Sequence, residues 1–437
     1  MKRVDKFVLG AVVAAIGFAG SAAYAQKTVT MWTFLDPAKA GGRDEALAKI
    51  IAAFKAKNPN IDVKVEPQVW TTLAEKFVLG HGAGNAPDIG WVNAENLGLV
   101  LNSDASADLG PLMTNAWDAA RRNDMVSPQA LEAVTVKGKV KALPIMAITW
   151  VMMYRKDLFD KAGLTAADIS TWEGVTKAAK VLTKDNDGDG KIDVYGLGFG
   201  LAQERFSATP ALFASIQDNG GLFKAGCTPL LDTKATANAI AMQAAWITDS
   251  KVTPREALAM TSDDAIEQFT AGKYAMQIIA NSRFERIQKE AVGWQGAQLA
   301  VAPIPSTVKG KFGPHLMTGW FAAVSESSKN KQDAAKFVDF MTNSESAGLW
   351  SVLGGQVPMM KSAAARPEMQ KPEAVNLKQV ADLMKASGSY LPGACNWART
   401  MADFNLATQK VVLNKADITA ATKEMQKATA DRQDVKP

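Results

Sequence analysis

The chain has 437 residues, 47% hydrophobic and 21% charged, with 33 glycines and 18 prolines. These proportions exclude disordered and fibrous classes, and the length suggests two or three packing units of roughly 100–200 residues each. The formal charge of +5 is the small difference between 49 basic and 44 acidic side chains, and without a long Lys/Arg block it gives no support to nucleic-acid binding.

Met1 to Ala25 reads as a secretory signal. Lys2, Arg3 and Lys6 precede a fourteen-residue apolar run, Phe7 to Gly20, and Ala23-Tyr24-Ala25 places small residues where a signal peptidase cuts. A run of that length falls short of the about 20 residues a membrane helix needs. No cysteine follows it, so a lipid anchor is not expected. The mature chain is expected to start near Gln26 and to be a soluble exported protein. In that oxidising compartment Cys227 and Cys395 either pair or remain as two inert buried thiols.

Lys27 to Trp32 is a β-branched strand, broken at Asp36-Pro37 and Gly41-Gly42. Leu47, Ile50, Ile51 and Phe54 then make one apolar helical stripe. Ile61, Val63 and Val65 alternate with polar residues, as in a half-buried strand. Strand, helix and strand in about 40 residues is a βαβ unit, which implies a parallel sheet. Asp88 to Val92 follows as a strand after a loop at Gly80 to Pro87. Further β-type runs lie at Leu143 to Tyr154, Lys191 to Phe199, Tyr274 to Ala280 and Phe321 to Val324. Ala334, Phe337, Val338 and Met341 mark another amphipathic helix, and the pattern beyond residue 376 is mostly helical. The expected class is α/β with two lobes.

Enzyme signatures are sparse. His81 and His315 are the only histidines and sit in no His-Glu-x-x-His arrangement. Gly80-His81-Gly82-Ala83-Gly84 precedes a strand and lacks a Gly-Lys-Ser/Thr ending, so it reads as a flexible loop and not as a phosphate cradle. An acid pair such as Asp36 and Glu95 leaves an exported glycoside hydrolase as a minor alternative. The sharpest local motif is Asp185, Asp187, Asp189, Lys191 (by its backbone carbonyl) and Asp193, which repeats oxygen ligands at the spacing of a calcium loop. Gly196 stands where such a loop carries a bidentate Glu. The motif is therefore either a structural calcium site or a solvated Asx-rich turn. No cofactor is otherwise required.

Short pieces in fixed order resemble the extracellular solute-binding proteins of ABC importers, in the sugar-binding group that includes maltose-binding protein. They are Val29-Thr30-Met31-Trp32, Ala86-Pro87-Asp88-Ile89, Leu143-Pro144, Met153-Tyr154-Arg155-Lys156-Asp157-Leu158-Phe159, Ala162-Gly163-Leu164, Thr171-Trp172, Phe269 to Met276, and Gly354-Gly355 before Pro358. The resemblance implies a periplasmic binding fold of type II, with crossing hinges near Ala142-Pro144, Ala302-Pro305 and Leu353-Pro358. One lobe would span 26–143 plus 303–353, the other 144–302 plus 354–437. It implies a monomeric, non-enzymatic protein that closes on a carbohydrate and hands it to a membrane permease.

Sugars need aromatic faces for their C–H surfaces and side chains that donate and accept hydrogen bonds. Positions matching the family's cleft are Phe34, Asp36, Asn93, Glu95, Thr149, Trp150, Arg205, Phe206, Asn281, Ser282, Arg283, Gly319, Trp320, Asn396, Trp397 and Arg399. Among the eleven tryptophans, Trp150, Trp320 and Trp397 are the expected stacking faces, while Trp117, Trp172, Trp246, Trp294 and Trp350 read as core. Ile148 falls where maltose-binding protein has a ligand-binding Glu, which speaks against maltose. Arg205, Arg283 and Arg399 would suit an anionic solute, a sugar acid or a glycerol phosphate, as the alternative ligand.

Overall fold

The structure is a computed structural model that describes residues 26–125, 129–203, 208–370, 375–390 and 395–432. The secretory signal expected at Met1 to Ala25 lies outside the described residues. No helix among those described is long and apolar enough to cross a membrane.

Strand β1 (Lys27–Thr33) buries Val29, Met31 and Thr33 on one side, as its alternation requires. Helix α1 (Gly42–Lys57) packs Leu47, Ile50 and Phe54 into the core and returns the chain to β2 (Ile61–Pro67), parallel to β1 from Lys27↔Ile61 to Thr33↔Pro67. Helix α2 (Leu73–Ala83) leads to β3 (Ile89–Asn93), parallel to β1 on its other edge. The glycine-rich stretch expected as a loop from Gly80 is instead the last turn of α2. Its end is Gly84, which supplies the left-handed cap at φ 73°. A small hairpin, β4 (Thr135–Val136) and β5 (Lys139–Val140), precedes the central strand.

That strand, β6 (Leu143–Arg155), has 13 residues and, at about 3.3 Å per residue, runs some 40 Å. Its two halves have different partners. Leu143 to Thr149 pair with β10 (His315–Val324), whereas Trp150 to Tyr154 pair with β8 (Tyr274–Ala280), and Met152 to Arg155 also pair with β9 (Leu299–Ala302). Strand β7 (Tyr195–Gly198) lies parallel to β8, and β11 (Gly388–Tyr390) is parallel to β10. The sheet order is β2-β1-β3-β10-β6-β8-β7.

One lobe therefore forms around β2-β1-β3 and the other around β6-β8-β7, with β10 and β6 running between them. The first lobe's core gathers Val29, Met31, Leu47, Phe54, Trp91, Trp320, Phe337 and Trp350. Trp172, Phe213, Trp246, Met401 and Phe404 belong to the second. Cys227 and Cys395, left open by sequence, are joined in a disulfide across 168 residues of chain.

Asn281 ties the crossing segments together. Its Oδ1 accepts the Thr149 N–H at 2.9 Å, its Nδ2 donates to the Gly355 carbonyl at 3.1 Å, and Thr149 Oγ1 donates to the Leu316 carbonyl at 3.0 Å. Four segments distant in sequence are thus held by one carboxamide and one hydroxyl.

Candidate functional site

In a parallel α/β sheet, ligands settle at the carboxyl ends of the strands, where successive connections diverge to opposite faces. Here that crevice is a cavity of about 300 Å³ between the lobes. Phe34 follows the end of β1, Asn93 ends β3, and Glu95 lies in the 3₁₀ turn after it. Trp70, from the turn Trp70–Thr72, and Trp320 from β10 complete the first lobe's wall. Phe34 and Trp320 lie with ring centroids 4.4 Å apart at a 37° tilt, and Arg43 in the first turn of α1 sets its guanidinium 4.9 Å above the Phe34 ring.

Gly319, just before Trp320, adopts φ 146°, and a Cβ there would meet the Met146 carbonyl at 1.9 Å. Only glycine allows β10 to approach β6 this closely, and the register shift that follows re-aims Trp320.

The opposite wall carries Phe199, Gly200, Ala208, Ser262, Asp263, Ile266, Gln277, Ser282 and Arg283, with Ile148 and Trp150 from the crossing strand. Asn93 Nδ2 donates to Glu95 Oε2 at 2.8 Å, and Asn96 Nδ2 donates to Asn93 Oδ1 at 3.1 Å. This chain of amides fixes the carboxyl group. Burial raises the Glu95 pKa, against the hydrogen bonds from its own backbone and Asn93. Gln277 is 3% exposed, yet its side-chain oxygen has no hydrogen-bond partner among the described residues. An unpaired acceptor in such a position costs free energy unless a ligand hydroxyl or a water reaches it. Arg283 Nη2 donates to Asp263 Oδ1 at 2.8 Å.

Of the residues expected at the cleft, Phe34, Asn93, Glu95, Trp150, Ser282, Arg283, Gly319 and Trp320 line this cavity. Asp36 does not: its carboxylate accepts the Ala38 N–H and its backbone N–H donates to Asp44 in the turn before α1. Thr149 and Asn281 sit behind the wall in the crossing lock. Arg205 and Phe206 lie outside the described residues. Asn396 and Arg399 border a second cavity of about 250 Å³ with Glu75, Asn96 and Cys395, and Glu95 lies on both. Asn396 caps the helix Trp397–Asn414, its Oδ1 accepting the Arg399 N–H. Trp397 faces neither cavity. It is 3% exposed and packs edge-on against Phe223, with ring centroids 5.4 Å apart. Its position at the helix start, beside the disulfide, turns the indole inward.

Arg43, Trp70 and Gln277 were missed by sequence reasoning. The Trp70 signal was present, a tryptophan after a strand in a turn. Arg43 and Gln277 sit in an ordinary amphipathic helix and an ordinary apolar strand, with no local cue.

In the Asp-rich loop, carboxylate oxygens of Asp185, Asp187 and Asp193 come within 4.8 Å of one another. Asp189 instead meets the Lys191 ammonium at 3.4 Å. Asp185 accepts N–H groups of Gly190 and Gly188, bonds that hold its pKa down.

A two-lobed α/β sheet with a partly closed cavity at its strand ends defines a binding protein of the periplasmic type. The chain belongs to the bacterial extracellular solute-binding protein family, whose profile matches residues 40–348. It is 26% identical over 329 residues to a binding protein of Brucella abortus, covering 75% of each chain. It is 25% identical over 338 residues to the arabinooligosaccharide-binding protein of Bacillus subtilis, covering 75% of this chain and 72% of that one. In fold it matches an ABC substrate-binding protein of Listeria monocytogenes in complex with cycloalternan, with a TM-score of 0.76 and 22% identity over 94% of this chain and 100% of that one.

Proposed function

We propose that this protein captures a carbohydrate between its lobes and delivers it to the permease of an ABC importer. The observation that carries the reading is the pairing of an aromatic platform, Phe34 and Trp320, with a buried acceptor that has no partner among the described residues, Gln277 Oε1. Apolar C–H faces of a pyranose would lie on the rings while hydroxyls reach Asn93, Glu95 and Gln277. The relative named for arabinooligosaccharides supports the solute class.

In this reading the lobes comprise 26–143 plus 303–353 and 144–302 plus 354–437, and they close by hinge bending, a motion general to periplasmic binding proteins. The protein acts in the periplasm as a monomer and does not turn its ligand over. Calcium in the Asp-rich loop is a separate proposal resting on its three converging carboxylates, and it would serve structure only.

A thermal-shift screen of mono- and oligosaccharides, neutral and acidic, tests the function. At a hundredfold excess over Kd a bound sugar should add about 2.7 kcal/mol of stability. Turnover of an oligosaccharide, or the absence of any shift across the panel, would overturn the reading.

A further inference from the structure

We propose that the solute carries an oxyanion, a carboxylate or a phosphate on a hydroxylated skeleton, held by Arg43 with Arg283 beside it. This deepens the carbohydrate reading and rests on it. Two guanidinium groups line the cavity, and they differ in what they already hold. Arg283 is engaged by Asp263 through Nη2. Arg43 makes no side-chain hydrogen bond or ion pair among the described residues. Its one contact of note is the face of Phe34.

An unpaired arginine on open surface needs no explanation, but this one is partly buried in a cleft. Burial and the like charge of Arg283 push its pKa down to about 10, although Asp44 and Asp263 act in the other direction. The side chain stays charged at neutral pH, so its charge is under-compensated rather than absent.

The surrounding acids do not fill that role. Asp263 is committed to Arg283. Asp44 accepts the Asp36 N–H at the start of α1. Glu95 is held by Asn93, and its burial favours the neutral form. The contact with the Phe34 face leaves the guanidinium N–H groups without a hydrogen-bond partner among the described residues, and a carboxylate or phosphate is the partner that this fork matches two bonds at a time. Ser282 and Gln277 on the facing wall remain for hydroxyl groups.

Calorimetric titration of the purified protein at constant ionic strength, with matched pairs, tests this. The pairs are glucose and glucuronate, galactose and galacturonate, and glycerol and sn-glycerol 3-phosphate. In at least one pair the acid should bind about tenfold or more tighter, since hydrogen bonds to charged groups contribute more than neutral ones. A uronate preference identifies a carboxylate, and a glycerol-phosphate preference identifies a phosphate. Arg43→Gln should bring the ratio close to unity, and Arg43→Lys should leave it in between, because the charge remains without the fork. Neutral members binding as tightly as their acids would overturn the proposal. So would Arg43→Gln weakening both members of a pair equally, with the free variant still folded by circular dichroism. If none of the six compounds binds but neutral oligosaccharides do, this proposal falls and the carbohydrate reading stands. If those fail as well, both fall.

Discussion

The first lobe lines its side of the cavity with Phe34, Trp70 and Trp320, whereas the second presents Ser282, Arg283, Asp263 and Gln277. On the first side, the ligand platform is also part of the core. Trp320 packs among Trp91, Phe34 and the strands beneath, so its orientation follows from how that lobe folds. On the second side, the polar groups sit in a strand and at helix starts. The contrast teaches a division of labour. In the reading proposed above, a rigid aromatic face comes with the fold of one lobe, which also carries Arg43, Asn93 and Glu95, while the other lobe contributes mainly polar groups.

Breaking the platform should have the largest effect. Trp320→Ala should lower unfolding free energy by about 3–5 kcal/mol, read from urea denaturation, while Ser282→Ala on the facing wall should change it by no more than about 0.5 kcal/mol. Similar small losses at both positions would erase the contrast.

Next in size is a titration between the lobes. His315 opens β10 and is fully buried, and burial pushes its pKa from 6.5 down to about 4. The unfolded chain therefore binds a proton that the folded chain refuses. Stability from this group is whole above pH 6.5 and falls by about 3 kcal/mol as pH drops to 4. Denaturation midpoints at pH 7, 5.5 and 4 should show this slope, and His315→Gln should flatten it by that amount. An equal slope in wild type and variant would show that the crossing strand is not so dry.

A smaller loss is expected at the crossing lock. Asn281→Ala leaves the Thr149 N–H and the Gly355 carbonyl without partners, at a cost of about 1–3 kcal/mol. Amide hydrogen exchange at Thr149 should rise more than exchange in the β1 core. Uniform change across the chain would mean that the lock is merely one more core contact.

Much of the fold was legible because it rests on local periodicity. The alternation in β1 and β2 and the stripe in α1 correspond to the burial observed. The pieces that carried the family resemblance turn out to be framework. Asp88 accepts the Thr30 N–H and hydroxyl and the Ser328 hydroxyl, clamping β1 to β3, and Arg155 forms a two-bond pair with Asp157.

The cavity was harder to read, because its lining depends on which residue of a pair turns toward a space that the whole fold creates. Trp150 and Trp397 both look like cleft tryptophans in sequence, yet only Trp150 reaches the cavity. Gln277 lies in an apolar strand, where its missing partner is visible only once β8 is packed.

The most direct test compares two tryptophans by calorimetric titration with the best ligand found for the wild type. Trp320→Phe should weaken binding about tenfold or more, while Trp397→Phe should keep the wild-type Kd even if the variant melts earlier. The opposite ranking would place the ligand against the helix Trp397–Asn414 and contradict the account of a site built on the platform of the first lobe.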